Sequence, residues 1–296
     1  MNNPTDELDR FQSLLKKPRV AWPTLMLLLA AYALFSVATF AFFTGTLSLG
    51  WVMTLNSIAS YMAFTVAHDA THSAVTANRK VNDWVGRLAI LLLEPGPFFL
   101  VFRFIHMQHH RFTNDPNKDP DAYSGSGPAW LLPFKWLTLD FVYFKRYLKP
   151  DNFQKRPKSE QREFYFAVLF VISVITAVSL AGWLTYYLLL FFIPTRIAKL
   201  IIVLAFDFLP HHPHNVTARE DPYRATSNRV GLEWALTPLF LYQNYHLVHH
   251  LYPAVPFYRN LKIWNARRGH HESQDPATVG PFGLKPRSRS SHSSAP

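Results

Sequence analysis

Histidine is the residue type in this chain that could carry unusual chemistry. Fourteen histidines occur in 296 residues. Eleven fall into four compact groups: His68 and His72; His106, His109 and His110; His211, His212 and His214; His246, His249 and His250. The first group is spaced HxxxH, and the second and fourth are spaced HxxHH. Residues three and four apart share one face of a helix, so each of these groups projects its imidazoles in one general direction. One such pair would be weak support for a metal site. Three spaced motifs, with the His-rich word Pro210-His211-His212-Pro213-His214 beside them, are much stronger. The imidazoles of the three motifs, joined by at least one from that word, exceed what one ion can use and suit two. Imidazole serves iron, zinc, copper and nickel alike, so ligand type leaves the metal open. Cysteine is absent, which excludes disulfides, thiolate zinc, iron–sulfur clusters and covalently attached c-type haem.

The elements that must position these groups are read from the apolar residues, 49% of the chain. They collect in long uncharged runs, a membrane pattern. Four runs, Trp22–Gly45, Leu47–Ala67, Phe164–Leu180 and Leu184–Phe206, are each near the ~20 residues that a ~30 Å hydrocarbon layer requires. Short uncharged turns join the first to the second and the third to the fourth, so the runs read as two membrane hairpins. Of the 30 Lys and Arg, 28 lie on the side carrying both termini and the segment between the hairpins. The positive-inside rule makes that side cytoplasmic, and the location expected is a bacterial inner membrane with both termini and the metal site cytoplasmic. The other two, Arg196 and Lys199, sit inside the fourth run. Snorkelling toward the cytoplasmic surface is the expectation for them, with a buried polar site as the alternative.

A fifth apolar stretch, Trp84–Phe104, is broken by Glu94-Pro95-Gly96-Pro97 and reads as re-entrant or interfacial. If it spanned, the histidines before and after it would face opposite compartments. Val230–Leu241 reads as interfacial too. The fold class expected is therefore all-α integral membrane: four transmembrane helices in two hairpins, one re-entrant or interfacial segment, and a cytoplasmic histidine-rich helical cap. Residues 1–20 read as a cytoplasmic N-terminal segment without the features of a secretory signal, 21–279 as the membrane domain, and 280–296 as a disordered tail rich in Ser, Pro and basic residues. The formal charge of +11 is accounted for by cytoplasmic Lys and Arg near anionic lipid, so no nucleic-acid partner is expected. A basic face could guide an acidic redox partner.

His68-Asp-Ala-Thr-His72, His106-Met-Gln-His-His110 and His246-Leu-Val-His-His250 resemble the three histidine boxes of the membrane fatty acid desaturase superfamily. Phe206-Asp-Phe-Leu-Pro-His211, the Asn114-Asp115-Pro116 and Asp119-Pro120-Asp121 continuation, and Asn244–Tyr258 resemble the desaturase-like β-carotene hydroxylases. The resemblance implies a non-haem di-iron centre, O2 as co-substrate and electrons from a ferredoxin-like donor with its reductase. It also implies hydroxylation of a β-ionone ring, from β-carotene through cryptoxanthin to zeaxanthin. It implies that His106, His109, His211, His246 and His249 bind one iron and His68, His72, His110 and His250 the other. Asp207, four residues before His211, is expected to tune the second iron through a metal-bound water.

No catalytic residue is expected apart from the metal centre. Around it, Asp69, Asp115, Asp119 and Asp121 could orient imidazole N–H groups, although the last three lie in a Pro/Asn-rich loop where turn formation explains them equally well. Competing readings exist. An acyl-lipid desaturase or a carotenoid ketolase would use the same boxes. An intramembrane zinc hydrolase is suggested by His68-Asp69-Ala-Thr-His72 but leaves both HxxHH groups idle. A metal transporter would place ligands along a path within the bilayer.

Overall fold

The computed structural model describes residues 4–288, and nearly all of its regular structure is helical. Four helices are long and apolar enough to cross a membrane: Trp22–Phe43, Leu49–Thr71, Lys158–Leu180 and Leu184–His211. They match the four runs read from sequence, with the second, third and fourth extended at their polar ends. The second has a mean hydropathy of 1.2 against 2.2 for its hairpin partner. Its polar residues Asn56, Ser57, Ser60, Thr65, His68 and Asp69 are all buried, so they point to protein rather than lipid. Ala59, Ala63, Ala67 and Ala70 form a small-residue row on this helix and are fully buried. Such a row lets neighbouring backbones approach closely where lipid offers no hydrophobic drive between helices.

The fourth span is not uniformly α-helical. Residues Leu188–Phe192 and Val203–Phe208 are π-helical, a local widening often met at functional sites. Inside the first of these turns the Leu190 carbonyl accepts a hydrogen bond from Asn56 Nδ2 at 2.7 Å. Arg196 and Lys199 do not snorkel. Arg196 pairs with Asp140 at 2.5 Å, and Lys199 Nζ lies 2.6 Å from both Asp140 and Glu94. Two cations and two carboxylates thus neutralise one another as a buried polar site; a protein partner within reach removes the reason to stretch toward water.

The broken fifth stretch folds as two helices, Arg79–Ile90 and Phe99–Phe112. At 12 and 14 residues they are about 18 and 21 Å long, too short to span singly. Backbone groups freed at the break find partners in the spans: the Leu92 carbonyl accepts from Ser60 Oγ at 2.6 Å and the Leu88 carbonyl from Tyr32 Oη at 2.7 Å. The two helices pack by a close approach at Gly86, where a Cβ would fall 2.3 Å from the Phe99 ring. Within the interfacial stretch Val230–Leu241, a short helix covers Glu233–Leu239, with Trp234 and Leu239 exposed.

The polar segments converge on one end of the bundle. Phe11, from the helix Pro4–Leu15, packs into a cluster with Val248, Ile263 and Trp264. Asn228–Arg229 and Thr278–Val279 form a two-stranded parallel sheet. Residues 280–288 are tied down: Arg229 Nη1 donates to the carbonyls of Gly280, Pro281 and Gly283. The remainder of the expected tail, 289–296, lies outside the described residues, as do residues 1–3 of the N-terminal segment.

Candidate metal centre

Nine histidines meet where the second span, the helix Phe99–Phe112, the end of the fourth span and the helix His246–Leu251 come together. They form two groups, His68, His72, His106, His110 and His249 in one, and His109, His211, His246 and His250 in the other, with the potential ligand atoms of each group within 4.8 Å of one another. In the first group, Nε2 of His106 is 2.9 Å from that of His72 and 3.1 Å from that of His110, which is 3.0 Å from that of His249. In the second, Nε2 of His246 lies 3.1 Å from both His211 and His250, and His250 is 3.3 Å from His109.

This division differs from the one implied by the resemblance. His106 and His110 stay together, as do His246 and His250, while the middle members His109 and His249 cross over, each joining the other helix's pair. Helix geometry gives the reason. At 3.6 residues per turn, positions i and i+4 diverge by about 40°, whereas i+3 turns about 60° the other way. Each HxxHH therefore aims two rings at one point and the third at another, and two such helices face to face supply both groups reciprocally.

The donor set suits a metal. Burial pushes His72, His106, His110, His246, His249 and His250 well below the ordinary histidine value, leaving neutral rings with free lone pairs. Both ring nitrogens of buried His68, and Nδ1 of His211, have no hydrogen-bond partner among the described residues. Buried polar atoms are rarely left so. Nine converging imidazoles, two of them with orphaned nitrogens, form two groups whose geometry and chemistry fit metal ions.

The outer partners sort the carboxylates. Asp119 Oδ1 lies 2.9 Å and Asp121 Oδ2 3.1 Å from Nδ1 of His109. Burial alone would lower His109, but the two carboxylates outweigh it and push it up to about 10. They hold a proton on Nδ1, so a cation in the second group would displace only the proton on Nε2 and meet a ring of fixed tautomer. Tyr143 Oη donates to Asp121 at 2.5 Å, and Gln243 Oε1 fixes Nδ1 of His246 at 3.0 Å; neither was singled out from sequence. Asp115 closes a turn, accepting from the backbone N–H of Asn117 and Lys118 and lying 4.0 Å from the Lys118 ammonium. Asp69 is engaged away from the imidazoles: its oxygens accept from Thr24 Oγ1 at 3.0 Å and from the Phe257 N–H at 3.1 Å. It ties the first span and the loop after the last histidine box to the second span.

Asp207, in the second π-helical turn, lines a cavity together with His68, His106, His109 and His246. His214 stacks on His211 with ring centroids 6.0 Å apart but joins neither group. A Cβ on Gly125 would fall 2.2 Å from His214 Nε2, so only glycine leaves room for this ring. The cavity, about 80 Å³, is walled by apolar side chains including Phe64, Phe102, Leu93, Ile202 and Phe206, and opens on His68, His106, His109 and His246.

The outer carboxylates give a direct expectation. Asp119→Ala should lower metal affinity of the four-histidine group by roughly 10- to 100-fold, because His109 loses the partner that fixes its tautomer. Asp115→Ala should leave it unchanged. Metal retention during titration with a chelator would separate the two, and equal retention would mean that Asp119 acts only in the turn.

Residues 38–277 match the fatty acid desaturase family. The chain belongs to this family, and it is an oxidoreductase of the membrane desaturase superfamily. A β-carotene ketolase from Paracoccus sp. strain N81106 is 28% identical over 232 residues, 78% of this chain and 79% of the ketolase. Another from Paracoccus sp. strain PC1 is 29% identical over 197 residues, 66% of this chain and 71% of that protein. An sn-1 oleoyl-lipid 12-desaturase from Synechocystis sp. is 26% identical over 276 residues, 84% of this chain and 75% of the desaturase.

Proposed function

We propose that this chain is a membrane di-iron oxygenase that hydroxylates the β-ionone ring of a carotenoid, converting β-carotene to zeaxanthin through cryptoxanthin. The observation that carries the reading is the pair of buried imidazole groups at the mouth of an apolar cavity. His68, His72, His106, His110 and His249 would hold one iron, and His109, His211, His246 and His250 the other. Bound iron would supply the reductive activation of O2 that breaking an unactivated C–H bond requires. The reaction balances as R–H + O2 + 2 e⁻ + 2 H⁺ → R–OH + H2O, with a ferredoxin-like protein and its reductase supplying the electrons.

The chain's own residues place the reactants. Phe64, Phe102, Ile202 and Phe206 exclude water and bury the ring. Asp119, Asp121 and Gln243 fix the tautomers of His109 and His246. Asp207 completes the four-imidazole group by accepting a hydrogen bond from a water there, and offsets charge at a site whose other ligands are neutral. An apolar groove of about 500 Å³, lined by Tyr61, whose ring is 5.8 Å from that of Phe206, offers space for a long polyene. The excess of Lys and Arg on the histidine side supports a cytoplasmic centre in a bacterial inner membrane.

Ketolation is the second reading, favoured by the names of the two Paracoccus relatives. One experiment separates the readings: co-expression with a ferredoxin and its reductase in cells that make β-carotene, followed by chromatography of pigments and fatty acids. Cryptoxanthin and zeaxanthin are expected. Keto-carotenoids would transfer the assignment to a ketolase, and a new fatty-acid double bond with unchanged pigment to a desaturase.

A further inference from the structure

A second cavity, about 440 Å³ and sharing no residue with the metal centre, lies between the helix Arg79–Ile90 and the start of the third span. Lys80, Asp83, Trp84 and Arg87 line it at the i, i+3, i+4 and i+7 spacing of a single helix face, and Glu163 and Phe166 line it from the span. Glu163 is the last charged residue of the span, with none following up to Leu180. The cavity therefore sits at the border between polar surface and hydrocarbon. Trp84, 64% exposed, is a residue type enriched at that border, and Phe166 is 61% exposed beyond it.

Charge at this cavity is unbalanced by one cation. Both oxygens of Glu163 accept from Arg87, through Nε at 2.8 Å and Nη2 at 2.7 Å, and Asp83 accepts from Arg103 at 2.7 Å. Lys80 is exposed and makes no ion pair among the described residues. A guanidinium has five N–H donors, and Arg87 gives Glu163 two of them. Spare donors from Lys80 and Arg87 thus meet a wall of Trp84, Phe166 and Pro97.

We propose that this cavity is a binding site for one anionic phospholipid, its phosphate held by Lys80 and Arg87 and its acyl chains laid along Trp84 and Phe166. The phosphodiester carries one negative charge, which matches the one unbalanced cation, and its oxygens only accept, as a donor-rich wall requires. A zwitterionic lipid would bring its own cation beside Lys80 and Arg87, and the Arg87 guanidinium already lies 5.2 Å over the Trp84 ring. The volume falls within the range of roughly 300–1,000 Å³ for sites that enclose a small ligand, here a headgroup. The lipid would join the third span to the helix Arg79–Ile90, whose Gly86 packs on Phe99 at the start of the helix carrying His106, His109 and His110. The site is independent of what the metal centre oxidises.

Native mass spectrometry of the full-length protein, released from detergent micelles holding equal amounts of phosphatidylglycerol and phosphatidylcholine, counts the lipids retained. Phosphatidylglycerol is expected to be retained about tenfold over phosphatidylcholine, the size of one charge-assisted contact. Lys80→Ala should abolish that preference. Arg79→Ala removes an equally exposed neighbouring cation that does not line the cavity, and should leave the preference in place. Both positions are on the surface, so both variants should fold. Soluble glycerol phosphate and inorganic phosphate, added at the same concentration, should not displace the lipid, because they have no chain for Trp84 and Phe166. Equal retention of the two lipids, an equal loss in Arg79→Ala, or displacement by either soluble phosphate would overturn the proposal: the first two leave only diffuse surface attraction, the third a simple anion site.

Discussion

Alanine at His109 is expected to empty the four-histidine group and to reduce turnover by more than about 100-fold, the upper end of what loss of an outer partner alone costs. Three imidazoles would remain there, from His211, His246 and His250, and the reductive chemistry proposed needs both positions. Alanine at His249 leaves four imidazoles in the other group, so it should retain more iron than His109→Ala while losing as much activity. Iron per chain, measured on protein made under iron-replete conditions, reads the difference directly. Asp207→Asn should retain iron and change the rate, whereas Asp207→Ala should lower both; full activity in the alanine variant would leave Asp207 without a role at the metal. A single zinc per chain in the unaltered protein, with iron absent, would overturn the di-iron reading itself.

The nine histidines and four spans were legible because each rests on a local rule. Span length follows from bilayer thickness, and a shared helix face from spacing. The division of the imidazoles between two groups was not legible in the same way. It depends on how His106, His109 and His110 are aimed at a facing helix more than 130 residues further along the chain, and neither helix alone fixes which of its rings meets which partner. The carboxylates make the same point. Asp115, Asp119 and Asp121 share one Pro/Asn-rich loop and one chemistry, yet Asp115 closes a turn while the other two hold His109. Asp69, next to His68 in sequence, is on another face and serves as a tether. Gln243 lies in the irregular turn before the helix that begins at His246, so no helical spacing rule announced its contact with His246.

Arg196 and Lys199 misled for a physical reason. Hydropathy treats a cation in a span as a solitary charge seeking water, whereas these two face Asp140, some 56 and 59 residues earlier in the chain, and Glu94 at the helix break. Breaking such a buried pair costs more than never having built it. Lys199→Met is accordingly expected to destabilise the protein by about 3–5 kcal/mol, since Asp140 keeps Arg196 while Glu94 is stranded beside Pro95 and Pro97. The double variant Glu94→Gln with Lys199→Met removes both charges and should recover most of that loss. The pH dependence has a definite sign. Burial already raises Glu94 above the ordinary glutamate value even with Lys199 beside it, and without the ammonium the shift must grow. The folded single variant then binds the proton more tightly than the unfolded chain, so its stability is greatest at low pH and falls as pH rises through the raised value. Thermal unfolding in detergent at about pH 6 and about pH 8 should give the lower midpoint at the higher pH for Lys199→Met, and no such difference for the double variant. Equal stability of the single and double variants at both values would mean that Glu94 finds another partner, or water, once Lys199 is gone.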